Sequence, residues 1–126
     1  MKITIAKSVL GGNGVFAAAE IKKDEVFEAC PVVLVNSSEW EFIMRTKLLN
    51  YLFSWSDIPE KKVAFVLGYG MVYNHSYEPN CMTGIDYERE LLLFHALRDI
   101  SPGEELTHNY NGSSKSKNPV WFEVKS

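Results

Sequence analysis

A chain of 126 residues, 46% hydrophobic and 13% aromatic, has the size of one domain that buries a core of its own. Its formal charge of −3, with Lys and Arg scattered along the chain, leaves no basic footprint for nucleic acid. Two cysteines, Cys30 and Cys81, give neither a disulfide framework nor a paired zinc motif, and no apolar run approaches the ~18 residues of a membrane span. The expectation is a single domain over residues 1–126 in a reducing, cytoplasmic setting, without a structural metal.

Short apolar runs separated by turn signals predict a mainly β chain. "KITIA" leads into a turn over Gly11 to Gly14, and "VFAAA" returns from it. "EVFEA" and "VVLVN" read as two strands split by Pro31. The stretch from Asn36 to Leu49 is the least strand-like; Ser38 followed by Glu41 forms a capping box and predicts a helix over "WEFIMRTKLL". "YLFSW" alternates, which places Tyr51, Phe53 and Trp55 on one face of a strand. "VAFVLGYG" and "TGIDYE" are further strands, and "LLLFHAL" (Leu91 to Leu97), apolar on both faces, is predicted to run through the core. "GEELTHNY" closes the series. The polar loop Gly112 to Pro119 then leads to "VWFEV", too apolar for a free tail.

An internal echo accompanies these elements. "AEIKKDEVF" (Ala19 to Phe27) and "RDISPGEEL" (Arg98 to Leu106) each run from an isoleucine through a tight turn to a glutamate and an apolar strand. Ile21 and Ile100, like Glu25 and Glu104, share one offset of 79 residues, which predicts two equivalent turns related by pseudo-symmetry.

Three motifs carry candidate chemistry. "GGNGVF" (Gly11 to Phe16) is read either as a plain hairpin, for which Asn-Gly is a strong signal, or as a turn whose glycines let backbone amides approach a ligand. No helix pattern follows it, so it is no dinucleotide fingerprint. "NHSYEPN" (Asn74 to Asn80) is turn chemistry with a histidine at its centre. "GEELTHNY" ends on Tyr110, alternatively a strand tyrosine that packs its ring and wets its hydroxyl. His75, His95, His108 and Cys81 fit no zinc spacing, and core or turn histidines are the better reading. Cys81 paired with a histidine as a nucleophile is weaker still, because "EPNCMTG" looks like the start of a strand.

"GNGVF", "NHSYEPN" and "GEELTHNY", in that order, resemble the SET-domain protein-lysine methyltransferases, and the resemblance extends through "EIKKDEVF" and "LFHALRDISPGEEL". The short length and the "YLFSW…GYGMVYNHS" segment look most like the minimal SET proteins of viruses and bacteria. The resemblance implies a β-clip of small curved sheets with a C-terminal pseudoknot and one or two short helices. It implies S-adenosyl-L-methionine as cofactor and a protein lysine, such as one on a histone, as substrate. Carried over residue by residue, Gly12, Asn13 and Gly14 meet the amino-acid end of the cofactor, Asn74 and His75 its adenine side, and Trp121 or Phe122 its adenine or the substrate channel. Tyr110 matches the family's essential tyrosine, beside both cofactor and amine. Tyr51 is assigned as the channel tyrosine, and His108 occupies the position that tunes the number of methyl groups. The family's zinc-binding cysteine cluster is missing after Tyr110, so residues 112–126 or a second subunit, as a homodimer, are expected to close the site. The alternative, from another functional class, is a catalytically idle SET-like module that binds a peptide or the cofactor.

Overall fold

The computed structural model describes residues 1–55, 62–112, 114–120 and 124. The chain is mainly β, with nine strands among the described residues. It divides into two compact units: Met1–Ala29, Val72–Gly84 and Leu93–Ser126 form the first, Cys30–Met71 and Ile85–Leu92 the second.

In the first unit, β1 (Ile3–Lys7) and β2 (Asn13–Ala17) form an antiparallel hairpin whose register runs from Ile3↔Ala17 to Lys7↔Asn13. The connecting loop is closed by the Ser8 N–H donating to the Gly12 carbonyl at 2.9 Å. The positive φ values fall at Gly11 (125°) and Gly12 (58°), where a side chain would be strained. The expectation of a turn over Gly11 to Gly14 is corrected: Asn13 and Gly14 already belong to β2. Next to β2 lies β9 (Glu105–His108), antiparallel to it, and next to β9 the two-residue β6 (Asn74–His75), parallel, with Asn74 opposite Thr107 and His75 opposite His108. Val15, Ile21, Tyr73, Phe94, Ile100 and Leu106 are all buried in this unit.

The repeat seen in the sequence is a local two-fold in this unit. Ile21 and Ile100 bridge each other, Ile21 N–H to Ile100 C=O at 3.0 Å and the reverse bond at 2.8 Å. Asp24 N–H donates to the Ala96 carbonyl at 2.8 Å, and Gly103 N–H to the Ala17 carbonyl at 2.7 Å. Ala96 N–H donates to Glu25 C=O at 3.0 Å, and Ala17 N–H to Glu104 C=O at 2.9 Å. Each bond repeats the other with its ends exchanged, at the offset of 79 residues. The turn residue is left-handed in both copies, Asp24 at φ 69° and Gly103 at φ 92°. Each turn ends in a carboxylate that accepts a backbone N–H three residues back, from Lys22 to Glu25 and from Ser101 to Glu104. Each carboxylate also meets a cation, Lys2 at 2.9 Å and Arg98 at 2.8 Å, whose hydrogen bond draws the carboxyl below its ordinary range.

The second unit contains β4 (Phe53–Trp55) and β5 (Lys62–Val66), which pair antiparallel, and β5 pairs with β3 (Val26–Val35) from Val32↔Val66 to Val35↔Val63. The expected break at Pro31 is overturned. β3 runs straight through it, and the Pro31 carbonyl accepts the Leu67 N–H at 2.9 Å. With β7 (Cys81–Asp86) and β8 (Leu91–Ala96) the sheet order is β4-β5-β3-β8-β7. β8 also departs from expectation: Leu92, Phe94 and Ala96 are buried while Leu91, Leu93 and His95 are half-buried, so it alternates.

The predicted helix is shorter than its pattern. α1 covers only Trp40–Ile43, and its N-cap is Glu39, without a side-chain cap, so the Ser38–Glu41 capping box does not form. Instead Glu39 accepts the Asn36 N–H at 3.4 Å, and Thr46 caps a separate 3-10 segment, Lys47–Tyr51, by accepting the Leu48 N–H at 3.2 Å. Thr46 has extended φ and ψ, which stops a continuous helix there.

Candidate functional site

The first unit gathers the glycine loop, the Asn74–Asn80 stretch and the segment around Tyr110 around one strand, β9. Glu105, at the start of β9, is the hub. Its Oε1 accepts the Ser8 hydroxyl at 2.6 Å, and its Oε2 accepts Asn74 Nδ2 at 2.8 Å. Asn74 Nδ2 also donates to the Asn13 carbonyl at 3.1 Å. The glycine loop is thereby fastened at Ser8 and at Asn13. Gly14 lies under this knot, where a Cβ would collide with the Glu105 carboxylate and sit 3.0 Å from Asn74 Nδ2. Gly11 and Gly12, at the loop tip, face open space.

The polar residues that follow replace missing ladder partners. Asn80 is 5% exposed; its Nδ2 donates to the Glu105 carbonyl at 2.8 Å and its Oδ1 accepts the Thr107 N–H at 2.9 Å. One side chain so satisfies two backbone groups of β9, which would otherwise be costly to bury. His75 does the same at the next turn: its Nδ1 accepts the Tyr110 N–H at 2.9 Å. That bond requires an unprotonated Nδ1, and burial lowers the His75 pKa in the same direction.

Tyr110 is half-buried, its ring 5.1 Å from His75 and 5.0 Å from His108. Its hydroxyl donates to the Tyr73 carbonyl at 2.5 Å. A hydroxyl that donates in this way presents its oxygen as an acceptor. His108 is 5% exposed, edge-on to Phe94 at 5.4 Å and to Tyr73 at 6.2 Å. Burial, and after it the proximity of His75, pushes its pKa down to about 3. The ring is neutral at physiological pH. The segment after Tyr110 is tied back to the same place, Tyr77 donating to the Asn118 carbonyl at 3.0 Å and Asn109 Nδ2 to the Ser116 carbonyl at 2.7 Å.

The two histidines make an acid prediction. Both have a folded pKa below the ordinary 6.5, so their contribution to stability is full above pH 6.5 and is lost as pH falls below that value, for His108 down to about 3. For His108 the loss between pH 7.5 and pH 5 is about 2 kcal/mol. Urea denaturation across that range is expected to show it, and His108→Phe is expected to flatten the profile. A midpoint independent of pH in the native chain would contradict the burial of His108.

Of the other candidate residues, Tyr51 ends the 3-10 segment in the second unit and is 44% exposed, so the expected alternation with Phe53 and Trp55 does not hold for it. Trp121 and Phe122, and with them the expected closure by the apolar tail, lie outside the described residues. Cys81 is 1% exposed, donates to Asn80 Oδ1 at 3.1 Å, and has its thiol pushed up to about 12 by burial. It is no nucleophile at neutral pH. Sequence reasoning passed over Glu105, Asn80 and Tyr73. Asn80 stood inside the quoted motif; the other two act through partners 31 to 97 residues away that no local pattern reveals.

Comparison with known proteins identifies the family of the chain. Residues 12–111 match the SET domain family. A Schizosaccharomyces pombe protein named histone-lysine N-methyltransferase, H3 lysine-37 specific, is 32% identical over 113 residues, 89% of this chain and 71% of the yeast protein. Among solved structures, a Plasmodium falciparum protein assigned as a histone methyltransferase aligns with a TM-score of 0.75 at 35% identity, over 89% of this chain and 95% of that one. The polycomb repressive complex 2 of Chaetomium thermophilum contains a chain that aligns with a TM-score of 0.72 at 28% identity, over 86% of this chain and 15% of that one.

Proposed function

The chain belongs to the SET-domain family of protein-lysine methyltransferases, and from that premise we propose that it uses S-adenosyl-L-methionine to methylate a lysine ε-amine of a histone, at a site centred on Tyr110. The observation that carries the reading is the shared anchorage of the glycine loop, Asn74, His75 and Tyr110 on β9. The residues fit the cofactor in one respect. Gly11 and Gly12 leave the loop tip open, so a ligand can approach its backbone closely.

Gly12, Asn13 and Gly14 would hold the amino-acid end of the cofactor through their backbone, and Asn74 and His75 the adenine side. When bound, the cofactor supplies a methyl group on a positively charged sulfur. The lysine must arrive as a neutral amine, and removing its proton at pH 7 costs about 4.6 kcal/mol from an ordinary pKa of ~10.4. The buried aromatic surroundings of Tyr110 and His108 favour the neutral form, because desolvation disfavours the ammonium. Since the Tyr110 hydroxyl donates to the Tyr73 carbonyl, its oxygen accepts an N–H of the incoming amine and aims the nitrogen lone pair. No protein base is required, because water takes the proton before attack. The neutral His108 adds no positive charge near the reacting centre. A histone is proposed as substrate from the name of the yeast relative.

Calorimetry with S-adenosyl-L-methionine is expected to give one site per chain, followed by transfer of labelled methyl groups to histone H3. Absence of cofactor binding would overturn the cofactor assignment; binding without transfer to histones or to a cell lysate would leave only the idle module.

A further inference from the structure

One part-buried polar contact of the first unit has no part in the chemistry above. The Tyr73 hydroxyl donates to Glu28 Oε1 at 2.6 Å. Tyr73 is 1% exposed, and its ring stacks on Phe94 at 4.0 Å with an interplanar angle of 19°. Beside this stack Phe27, the neighbour of Glu28 in β3, stands 6.3 Å from Tyr73 and 6.5 Å from Phe94. The same residue offers its backbone carbonyl to the Tyr110 hydroxyl. Tyr73 therefore touches a carboxylate at one end and the reactive hydroxyl at the other.

We propose that Glu28 is a positioning residue for Tyr110, acting through Tyr73. Resting on the reading of Tyr110 given above, the tether works by geometry. A hydroxyl bound to a carboxylate is a short, charge-assisted contact, stronger than one to a neutral acceptor. It fixes how far the Tyr73 ring slides along Phe94, and the ring carries the backbone with it. The Tyr73 carbonyl immediately precedes β6, so its position is set by the tether on one side and by the β6–β9 ladder on the other. Without the tether the ring and carbonyl relax together, and the Tyr110 hydroxyl follows its acceptor. Displacements of this kind, small and remote from the reacting atoms, are costly to turnover.

Three substitutions test this. Tyr73→Phe removes only the hydroxyl and keeps the stacked ring; Glu28→Ala removes the carboxylate; Glu28→Gln keeps an oxygen that accepts the same bond. The first two are expected to lower kcat by about tenfold or more, with KM and cofactor Kd unchanged. Their combination is expected to be no worse than either alone, since both cut one tether. Glu28→Gln is expected to recover most of the turnover. Independently of activity, the Tyr110 Cζ resonance of chain labelled with 13C-tyrosine should move in Glu28→Ala and in Tyr73→Phe, and return in Glu28→Gln. A Tyr110 signal unmoved in Tyr73→Phe, or a variant with lower melting temperature and normal kcat, overturns the tether. Normal turnover in Tyr110→Phe would instead overturn the role given to Tyr110, while the Cζ signal still decides whether Glu28 positions it.

Discussion

Tyr110→Phe is expected to lower turnover by about a hundredfold or more, the scale of removing one preorganised polar group at a reacting centre. The substitution is unusually selective here. The ring is held by His75 and His108, and the backbone N–H is held by His75 Nδ1, so neither depends on the hydroxyl. What disappears is one donor to the Tyr73 carbonyl and, with it, the oxygen proposed to meet the amine. The fold is expected to lose only about 1 kcal/mol, the usual worth of a single hydrogen bond. Cofactor affinity is expected to stay as it is, because the phenol oxygen is not among the backbone groups assigned to bind it. Labelled-methyl transfer and calorimetry on the same preparation check both halves. Near-normal turnover would place the essential hydroxyl elsewhere, with Tyr51 the next residue to replace.

Gly14→Ala is expected to have the second large effect, for a steric reason. A Cβ at this position runs into the Glu105 carboxylate, and Asn74 Nδ2 blocks it at 3.0 Å. Glu105 is no loose side chain that swings aside, since both its oxygens are engaged, by Ser8 and by Asn74. Making room therefore breaks the knot that fixes the glycine loop. Overpacking of this sort costs about 1–3 kcal/mol of stability. Loss of cofactor binding is expected to accompany it, because the loop tip loses its anchor. Gly12→Ala is the informative control: nothing lies within 4 Å of its Cβ, and only the strain of φ 58° opposes it. Thermal melting of the two variants should differ clearly, and calorimetry of Gly14→Ala shows whether the loop still binds. If Gly14→Ala melts and binds as the native chain does, the Glu105 knot is not what shapes the loop.

Much of this architecture was legible in the sequence, and the failures have a common cause. Strands β1, β5, β7 and β9 were marked by short apolar runs between turn residues, which is local information. So was the offset between Ile21 and Ile100, although the sequence did not say that the two residues would pair with each other. Pro31 was misread because the sequence reports the missing N–H but not whether that position needs one. Ser38 and Glu41 had capping-box spacing, yet the side-chain bond made there joins the Asn36 N–H to Glu39, two residues earlier. Tyr51 fitted a two-residue alternation that the Thr46 cap interrupts. At the site, Asn74, His75 and Tyr110 announced themselves by motif, whereas Glu105 and Glu28 did not. The acceptors of these two are filled by residues distant in sequence, and nothing beside them in the chain records which.

The position of β9 has a consequence for how the molecule is made. In its sheet it stands between β2 and β6, yet residues 105–108 leave the ribosome after all the other strands of that sheet. Synthesis runs at about 5–20 residues per second, so for several seconds the finished β1–β2 hairpin displays a bare edge. During that time β6, two residues long, has no strand beside it. Glycine loop, Asn74 and His75 all exist by then, but Glu105 and Tyr110, which bring them together, do not. A nascent chain therefore offers no half-built site. The affinity proposed for the cofactor then arrives in one step, with the strand that enters last.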